Sequence, residues 1–182
     1  QGERDQFRDP FVWYDNGIYY MIVSTSIPGV DKGGSGNVYT SKNMREWEYK
    51  GYLFECDYLL YPEQGSHWEC VVMLPITTKD GSKTKYILFD CPQYTVDGYI
   101  VDCYYWIGEF DKNACRFIPD DPKPKLFDYG RGVYTGQNGY CFLTEEDKAN
   151  GKTLYEQGRT VIYAIAQGKD AGTDQNKKAG WA

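Results

Sequence analysis

The feature that most constrains the fold is a unit of about 60 residues that opens with a carboxylate and continues as short β-rich runs. The first unit opens at Phe7-Arg8-Asp9-Pro10 and the second at Trp68-Glu69-Cys70, while a third opens near Asp128-Tyr129-Gly130. Runs rich in β-branched and aromatic residues, separated by turn residues, predict strands after each opening. A repeat of this length with four antiparallel strands is typical of a β-propeller blade, because radial repetition protects the edges of the sheets.

A hairpin is predicted directly after the first opening. Two β-rich runs, Phe11–Tyr14 and Ile18–Val23, flank the turn sequence Asp15-Asn16-Gly17. Asn-Gly supplies the positive φ values that a tight hairpin turn requires. A third strand is predicted at Asn37–Ser41 and a fourth from Trp47, so four short strands follow one carboxylate.

The same order of strands is predicted in the second unit and part of it in the third. The second unit has predicted strands at Cys70–Ile76, Lys85–Asp90, Asp102–Phe110 and Arg116–Pro119. The third continues through Tyr134, Tyr140–Leu143, a polar loop from Thr144 to Gly158 and a strand at Arg159–Ala166.

The predicted fold class is therefore all-β, an incomplete ring of about three propeller blades, each a four-stranded antiparallel sheet. The blades fall approximately at residues 7–65, 66–125 and 126–182. A β-sandwich of unrelated hairpins would explain the strand density, but not the matched positions of Asp9 and Glu69. Closed propellers take about 4 to 8 blades. We therefore expect the remaining blades of a parent chain, or a second copy, as partners.

Charge and composition narrow the classes of ligand. The net charge of −6 and the lack of a Lys/Arg-rich run argue against nucleic acid and anionic membranes, which need a clustered basic surface. No run approaches the ~18 apolar residues of a membrane span, so no membrane insertion is expected. The 18 Tyr, 5 Trp and 8 Phe suit a carbohydrate ligand. The chain begins at Gln1, and we expect a mature or trimmed part of a longer protein.

The cysteines predict no metal site. The six cysteines, at positions 56, 70, 91, 103, 115 and 141, lack the C-x-x-C spacing and the second His of a zinc site. The candidate carboxylates are also spread singly along the chain, so neither a metal nor another cofactor is predicted. Free thiols are favoured over disulfides, because a β domain of this size does not require cross-links. The compartment stays open, with an extracellular or periplasmic location favoured.

Glu69 is the candidate general acid. It lies between a bulky aromatic, Trp68, and a thiol, Cys70, beside the apolar run Val71–Ile76. Apolar surroundings remove hydration from a charged carboxylate, so such a group can hold a proton near neutral pH. Asp9 should instead stay ionised, because the adjacent Arg8 favours the charged form. The competing interpretation of Glu69 is an ordinary surface residue at the end of a strand.

Two other polar features are interpreted as structural. His67 is the chain's only His. Although an imidazole beside an acid/base suggests catalysis, we expect a loop residue with a single hydrogen bond. The acidic run Glu145-Glu146-Asp147, like Asp120-Asp121, is expected to be a solvated loop face.

Three stretches together resemble glycoside hydrolase family 32, the family of invertases, levanases and inulinases. They are Phe7-Arg8-Asp9-Pro10, Trp68-Glu69-Cys70 and Asp128-Tyr129-Gly130-Arg131-Gly132-Val133-Tyr134. Two further stretches are similar to that family as well. Tyr39–Trp47 resembles a recurrent blade turn, and Gly158–Val161 resembles the strand entry after the fourth blade.

This resemblance implies a five-bladed propeller with three carboxylates at a central funnel. Asp9 resembles the transition-state stabiliser and Glu69 the acid/base, while Arg8 would contact substrate hydroxyls. Tyr134 takes the place of a family Tyr near the acid/base. The predicted substrate-binding residues are therefore Arg8, Tyr134 and the two neighbours of Glu69, Trp68 and Cys70. The ligand implied is a fructoside such as sucrose, levan or inulin, cleaved by a retaining carboxylate mechanism.

The chain also departs from the family pattern. The family's nucleophile lies in a Trp-Met-Asn-Asp-Pro-Asn-Gly stretch, which these 182 residues lack. Val71-Val72 stand where Pro-Asp normally follows the Glu-Cys pair, and Val133-Tyr134-Thr135 replaces Phe-Tyr-Ala. The resemblance therefore covers the central blades without the nucleophile, so we expect the chain alone to be inactive.

Two alternatives remain open from the sequence. One is a carbohydrate-binding propeller that kept the funnel but lost catalysis. The other is a glycosidase of the related five-bladed arabinofuranosidase and xylosidase families. The Trp68-Glu69-Cys70 and Asp128-Tyr129-Gly130 stretches argue against the second alternative.

Overall fold

The first repeat unit folds into a four-stranded antiparallel sheet. A computed structural model of the protein describes residues 7–29, 32–78, 81–93, 102–127, 133–151 and 159–166. The strands of the first sheet, in spatial order, are β1 (Arg8–Asp15), β2 (Ile18–Ser26), β3 (Gly34–Ser41) and β4 (Glu48–Tyr52). The hairpin between β1 and β2 turns as predicted, since Asn16 and Gly17 have φ values of 46° and 87°.

The second unit folds into a sheet of the same topology with one added strand. Its path is β5 (His67–Thr77), β6 (Thr84–Gln93), β7 (Tyr104–Asp111) and β8 (Arg116–Pro119). The short strand β9 (Lys125–Leu126), which was not predicted, pairs with the free part of β7. A short 3-10 helix, Pro62–Gln64, precedes β5. Because the first strand of each sheet carries one candidate carboxylate, the predicted repeat is present in the structure.

The third unit contains a hairpin and a helix. Strands β10 (Val133–Phe142) and β11 (Arg159–Ala166) pair antiparallel. The predicted polar loop between them contains α1 (Glu145–Ala149), so the interpretation of Glu145-Glu146-Asp147 as a loop was wrong. Thr144 forms a capping box with Asp147, and this local signal, rather than apolar periodicity, starts the helix. The opening at Asp128-Tyr129-Gly130 lies outside the described residues.

The four-stranded first sheet and the five-stranded second sheet pack face to face around aromatic side chains. Trp68 and Trp106 are fully buried and their rings lie 5.2 Å apart, with Phe54 against both. Aromatic pairs at such distances add to the free energy of burial. Farther along the interface Tyr20 packs against Phe110. The core therefore lies between successive sheets, as expected for neighbouring blades.

Backbone and ionic contacts fix the outer parts of these sheets. The amide of Phe117 donates to the carbonyl of Leu53 at 2.8 Å. Lys112 pairs with the buried Asp15, and Arg116 pairs with Glu55 at 3.0 Å. Loops and strands of one sheet are therefore bound to the other at several points.

A carboxylic acid is buried beside this core. Asp90, in β6, has no exposed surface, and neither of its carboxylate oxygens has a hydrogen-bond partner among the described residues. Burial raises the pKa of Asp90 well above its usual range, because the charged form loses its hydration. The folded protein therefore holds this group in its neutral form more readily than the unfolded chain does.

We expect Asp90→Asn to flatten the pH dependence of folding stability. Because the folded pKa of Asp90 is raised, its contribution is fully present below about pH 4 and is lost as the pH rises through the folded pKa. In that window the free energy of unfolding falls by about 1.4 kcal/mol per pH unit from this group alone. Urea unfolding of both proteins between pH 4 and 8 measures the difference. Parallel curves for the two proteins would contradict the prediction.

Candidate active site

Asp9 occupies a bulge in the first strand of the first sheet. Arg8 pairs with Ser24 and Pro10 with the adjacent Val23, so Asp9 is the extra residue. Its φ is 57°, which Asp tolerates better than most residues. A bulge re-aims the neighbouring side chains and is common beside active sites.

The second sheet repeats this bulge in its own first strand. Glu69 pairs with Cys91 and Val72 pairs with Phe89, so β5 carries an extra residue between them. Cys70 has a φ of 49°. The same irregularity therefore occurs at the matching place in two successive blades.

Arg8 lies between the two candidate carboxylates. Its Nε and Nη2 donate to Oε1 of Glu69 at 2.9 and 2.5 Å. Its Nε is also 3.9 Å from Oδ2 of Asp9. The side chains of Arg8 and Asp9 are 32% and 34% exposed, and that of Glu69 is 15% exposed. The cluster is thus partly shielded from water yet open on one side.

Side chains of the first sheet satisfy the backbone of the second bulge. The amide of Cys70 donates to Oδ2 of Asp9 at 3.2 Å, and the amide of Val71 donates to Oγ of Ser24 at 3.2 Å. Without these acceptors the bulge would bury unpaired amides, at a cost of about 1–3 kcal/mol each. Asp9 therefore also fixes the strand that carries Glu69.

The thiol of Cys70 contributes an uncharged group. A hydrogen bond with Cys91, then burial, then the charges of Asp9 and Glu69 raise the pKa of the Cys70 thiol, so it stays protonated. The described cysteines are free thiols: Cys56, Cys70, Cys91, Cys103 and Cys115.

His67 is not a loop residue as predicted. It begins β5 and is buried, because the strand starts before the Glu-Cys pair rather than after it. Its Nδ1 forms one hydrogen bond, with Oγ of Ser26 at 3.1 Å, while Nε2 has no partner among the described residues. Burial and the nearby Arg8 lower the pKa of His67 to about 4, against an opposing effect of Glu69.

One predicted substrate-binding residue lies in the core rather than in the cluster. Trp68 is fully buried and donates from its indole Nε1 to the carbonyl of Gln64 at 2.9 Å. An indole without exposed surface cannot stack on a sugar, so we correct its predicted role to that of a core residue. It points to the opposite face of β5 from Glu69, since side chains alternate along a strand. Tyr134 lies in β10, where its backbone pairs with Ile165.

Two residues that complete the site lie outside every motif identified in the sequence. Ser24 binds the bulge backbone, and Gln93 accepts a hydrogen bond from Arg8 Nη2 at 3.0 Å. Both lie on second strands, opposite residues that the motifs identify. Cross-strand pairing with Arg8 could have indicated Ser24, but nothing in the sequence around Gln93 indicates its contact.

Neither a metal cluster nor a membrane-spanning helix is found in the described part of the chain. No group of three or more His, Cys, Asp or Glu side chains there is arranged to hold a metal ion. Among the same residues, no helix has the length and apolar character needed to cross a bilayer.

Comparison with known proteins identifies sequence relatives. The family model "Glycosyl hydrolases family 32 N-terminal domain" matches residues 1–182. An extracellular exo-inulinase of Aspergillus niger is 30% identical over 81% of this chain and 27% of its own length. The sucrose-6-phosphate hydrolase of Bacillus subtilis is 25% identical over 90% of this chain and 30% of its own length. The chain thus spans about a third or less of each relative.

Solved structures show the fold. Fructan 1-exohydrolase IIa of Cichorium intybus superposes with a TM-score of 0.66 at 18% identity, over 99% of this chain and 32% of that one. A fructofuranosidase of Schwanniomyces occidentalis, solved with fructosylnystose, gives a TM-score of 0.62 at 20% identity, over 90% of this chain and 27% of that one. Such neighbours have five-bladed propellers, and this chain covers part of one, so the predicted fold class is confirmed.

The buried imidazole predicts acid sensitivity of the fold. Because the folded pKa of His67 is about 4 and the unfolded value is 6.5, the stability due to its neutral form is present above pH 6.5 and is lost as the pH falls to 4. The loss amounts to about 3 kcal/mol. His67→Gln should remove this component. Thermal unfolding between pH 4 and 7 measures it, and an equally acid-sensitive variant would contradict the prediction.

Proposed function

The chain belongs to glycosyl hydrolase family 32, and from this premise we propose that the protein containing it hydrolyses β-fructosides by a retaining carboxylate mechanism. The observation that carries the proposal is the cluster of Arg8, Asp9 and Glu69, which two matched bulges bring together from successive blades. The substrates proposed are of the sucrose, levan or inulin type.

Glu69 is proposed as the acid/base. In the first step its proton passes to the glycosidic oxygen as the bond between that oxygen and the anomeric carbon breaks. In the second step the resulting carboxylate takes a proton from the water that releases fructose. The partial burial of Glu69 and its contact with Arg8, which also lies 3.9 Å from Asp9, support this role.

Asp9 is proposed to steady the sugar rather than attack it. Its carboxylate is fixed by the amide of Cys70, so its remaining acceptor capacity has a defined direction. Acceptors held toward the hydroxyls of a fructosyl ring stabilise positive charge that develops at the anomeric centre. Arg8, a third exposed, is proposed to bind substrate hydroxyls as well.

The nucleophile is proposed to come from outside these 182 residues. Retaining enzymes hold the nucleophile and the acid/base about 5 to 5.5 Å apart, and the attacking carboxylate forms a covalent bond to the anomeric carbon. The family resemblance places that residue in an Asn-Asp-Pro stretch, which the sequence lacks. On this proposal the other blades of the parent protein complete the site.

The names of the relatives support a fructoside substrate. They include an exo-inulinase and a sucrose-6-phosphate hydrolase, and the Schwanniomyces occidentalis enzyme was solved with fructosylnystose bound. What these names share is a fructosyl unit. The experiment below compares sucrose, inulin and levan to identify the linkage that is cleaved.

We expect Glu69→Gln to lower fructose release by about 10²- to 10⁴-fold in the parent protein, because the amide keeps the shape but has no transferable proton. Release of fructose from sucrose, inulin and levan, measured at saturating substrate, checks this. Glu146→Gln, the same chemical change on the exposed surface of α1, is the matched control and should leave the rate unchanged.

Three results would count against the proposal. Undiminished turnover by Glu69→Gln would remove Glu69 from the mechanism. A parent protein that binds inulin in calorimetry but releases no fructose would favour the alternative of a non-catalytic carbohydrate-binding propeller. Turnover by the 182-residue chain alone would mean that one of its own carboxylates is the nucleophile.

A further inference from the structure

Gln93 contacts Arg8 but has no role in the mechanism proposed above. It ends β6 and is buried. Its Oε1 accepts a hydrogen bond from Nη2 of Arg8 at 3.0 Å. The same nitrogen donates to Oε1 of Glu69 at 2.5 Å. One donor group of Arg8 is therefore shared between a carboxylate and a neutral amide oxygen.

The backbone around Gln93 holds this acceptor in place. The carbonyl of Gln93 accepts from the amide of Ser66 at 3.1 Å, and its backbone pairs with His67. Gly65 packs directly against it, since a Cβ added there would lie 2.6 Å from the carbonyl oxygen of Gln93, and its φ is 68°. Such close approach at positive φ requires glycine. These contacts fix the backbone of Gln93, and its side chain is buried.

We propose that Gln93 is a positioning residue for the acid/base: it shares the guanidinium of Arg8 with Glu69 and thereby limits how strongly Arg8 is drawn to that carboxyl group. This inference rests on the proposed function. A cation beside a carboxyl favours its charged form, whereas a general acid must be protonated. Because Gln93 accepts a hydrogen bond from the same guanidinium, it weakens the effect of Arg8 on Glu69.

Among the described residues, the charged and titratable groups that are known to lie near Glu69 come from three strands. They are Arg8 and Asp9 of β1, His67 and Cys70 of β5, and Cys91 of β6. His67 is neutral above about pH 4 and the Cys70 thiol stays protonated. Near neutral pH, a neighbouring side chain can therefore change the electrostatic surroundings of Glu69 mainly by changing the position of Arg8.

Two substitutions at Gln93 should move the pH profile of the parent protein in opposite directions. Gln93→Leu removes one acceptor of Arg8 Nη2 and strengthens the interaction of Arg8 with Glu69, so the alkaline limb of kcat/KM should move down by about one pH unit. Gln93→Glu draws Arg8 away and adds a like charge, so that limb should move up by about one unit. A merely structural role would lower activity without opposite shifts of the profile.

Ser35→Ala serves as the control for lost stability. It removes a buried hydrogen bond, from Oγ of Ser35 to the carbonyl of Phe54 at 2.6 Å, at a site without contact to Arg8. It should lower the melting temperature and leave the pH profile in place. If the two Gln93 variants shift the alkaline limb in the same direction, or not at all, the inference is overturned.

Crystal structures separate this inference from the proposed function. If the unsubstituted parent releases no fructose, the proposed function fails, and Gln93 is then judged on the position of Arg8. In the Gln93→Glu variant, Nη2 of Arg8 should leave Glu69 for the new carboxylate. An unchanged guanidinium in both Gln93 variants would refute the positioning role.

Discussion

The ion pair between Arg8 and Glu69 joins the first strands of two neighbouring blades, and the arrangement of the site depends on it. Removing two charges from water costs free energy that their attraction offsets only when the remaining polar groups are also paired. The structure provides that pairing. Arg8 also bonds Gln93, and Asp9 accepts the amide of Cys70. The contacts that stabilise the interface between the blades are therefore the contacts that orient the candidate acid/base.

The two bulges explain why this pairing occurs where it does. Regular strands would alternate their side chains and leave successive residues on opposite faces of the sheet. An extra residue at Asp9 and another at Cys70 break this alternation, and both have positive φ values that non-glycine residues rarely adopt. Such strain persists only where surrounding contacts fix the backbone. Here Ser24 and Asp9 do so by accepting the amides of the second bulge.

Buried groups elsewhere give the fold opposite responses to pH. Asp90 opposes stability as the pH rises, whereas His67 opposes it as the pH falls below 6.5. Both lie in the sheet that carries Glu69, and both are more favourable in their neutral forms. The protein therefore tolerates these two buried groups best in a middle range of pH, where both are neutral. The physical cause is the same in each case, since burial penalises charge.

The sequence by itself determined the repeat of short strands, the hairpin at Asn16 and Gly17, and the two carboxylates at matched positions, because strand pattern and turn chemistry are local properties. It also pointed to the family through short motifs. Tertiary structure alone decided the direction of each side chain. Trp68, which neighbours Glu69 in sequence, turns into the core, while Gln93, distant in sequence, reaches Arg8. Bulges and packing between blades settle such directions, and they depend on contacts between residues some 60 to 85 positions apart.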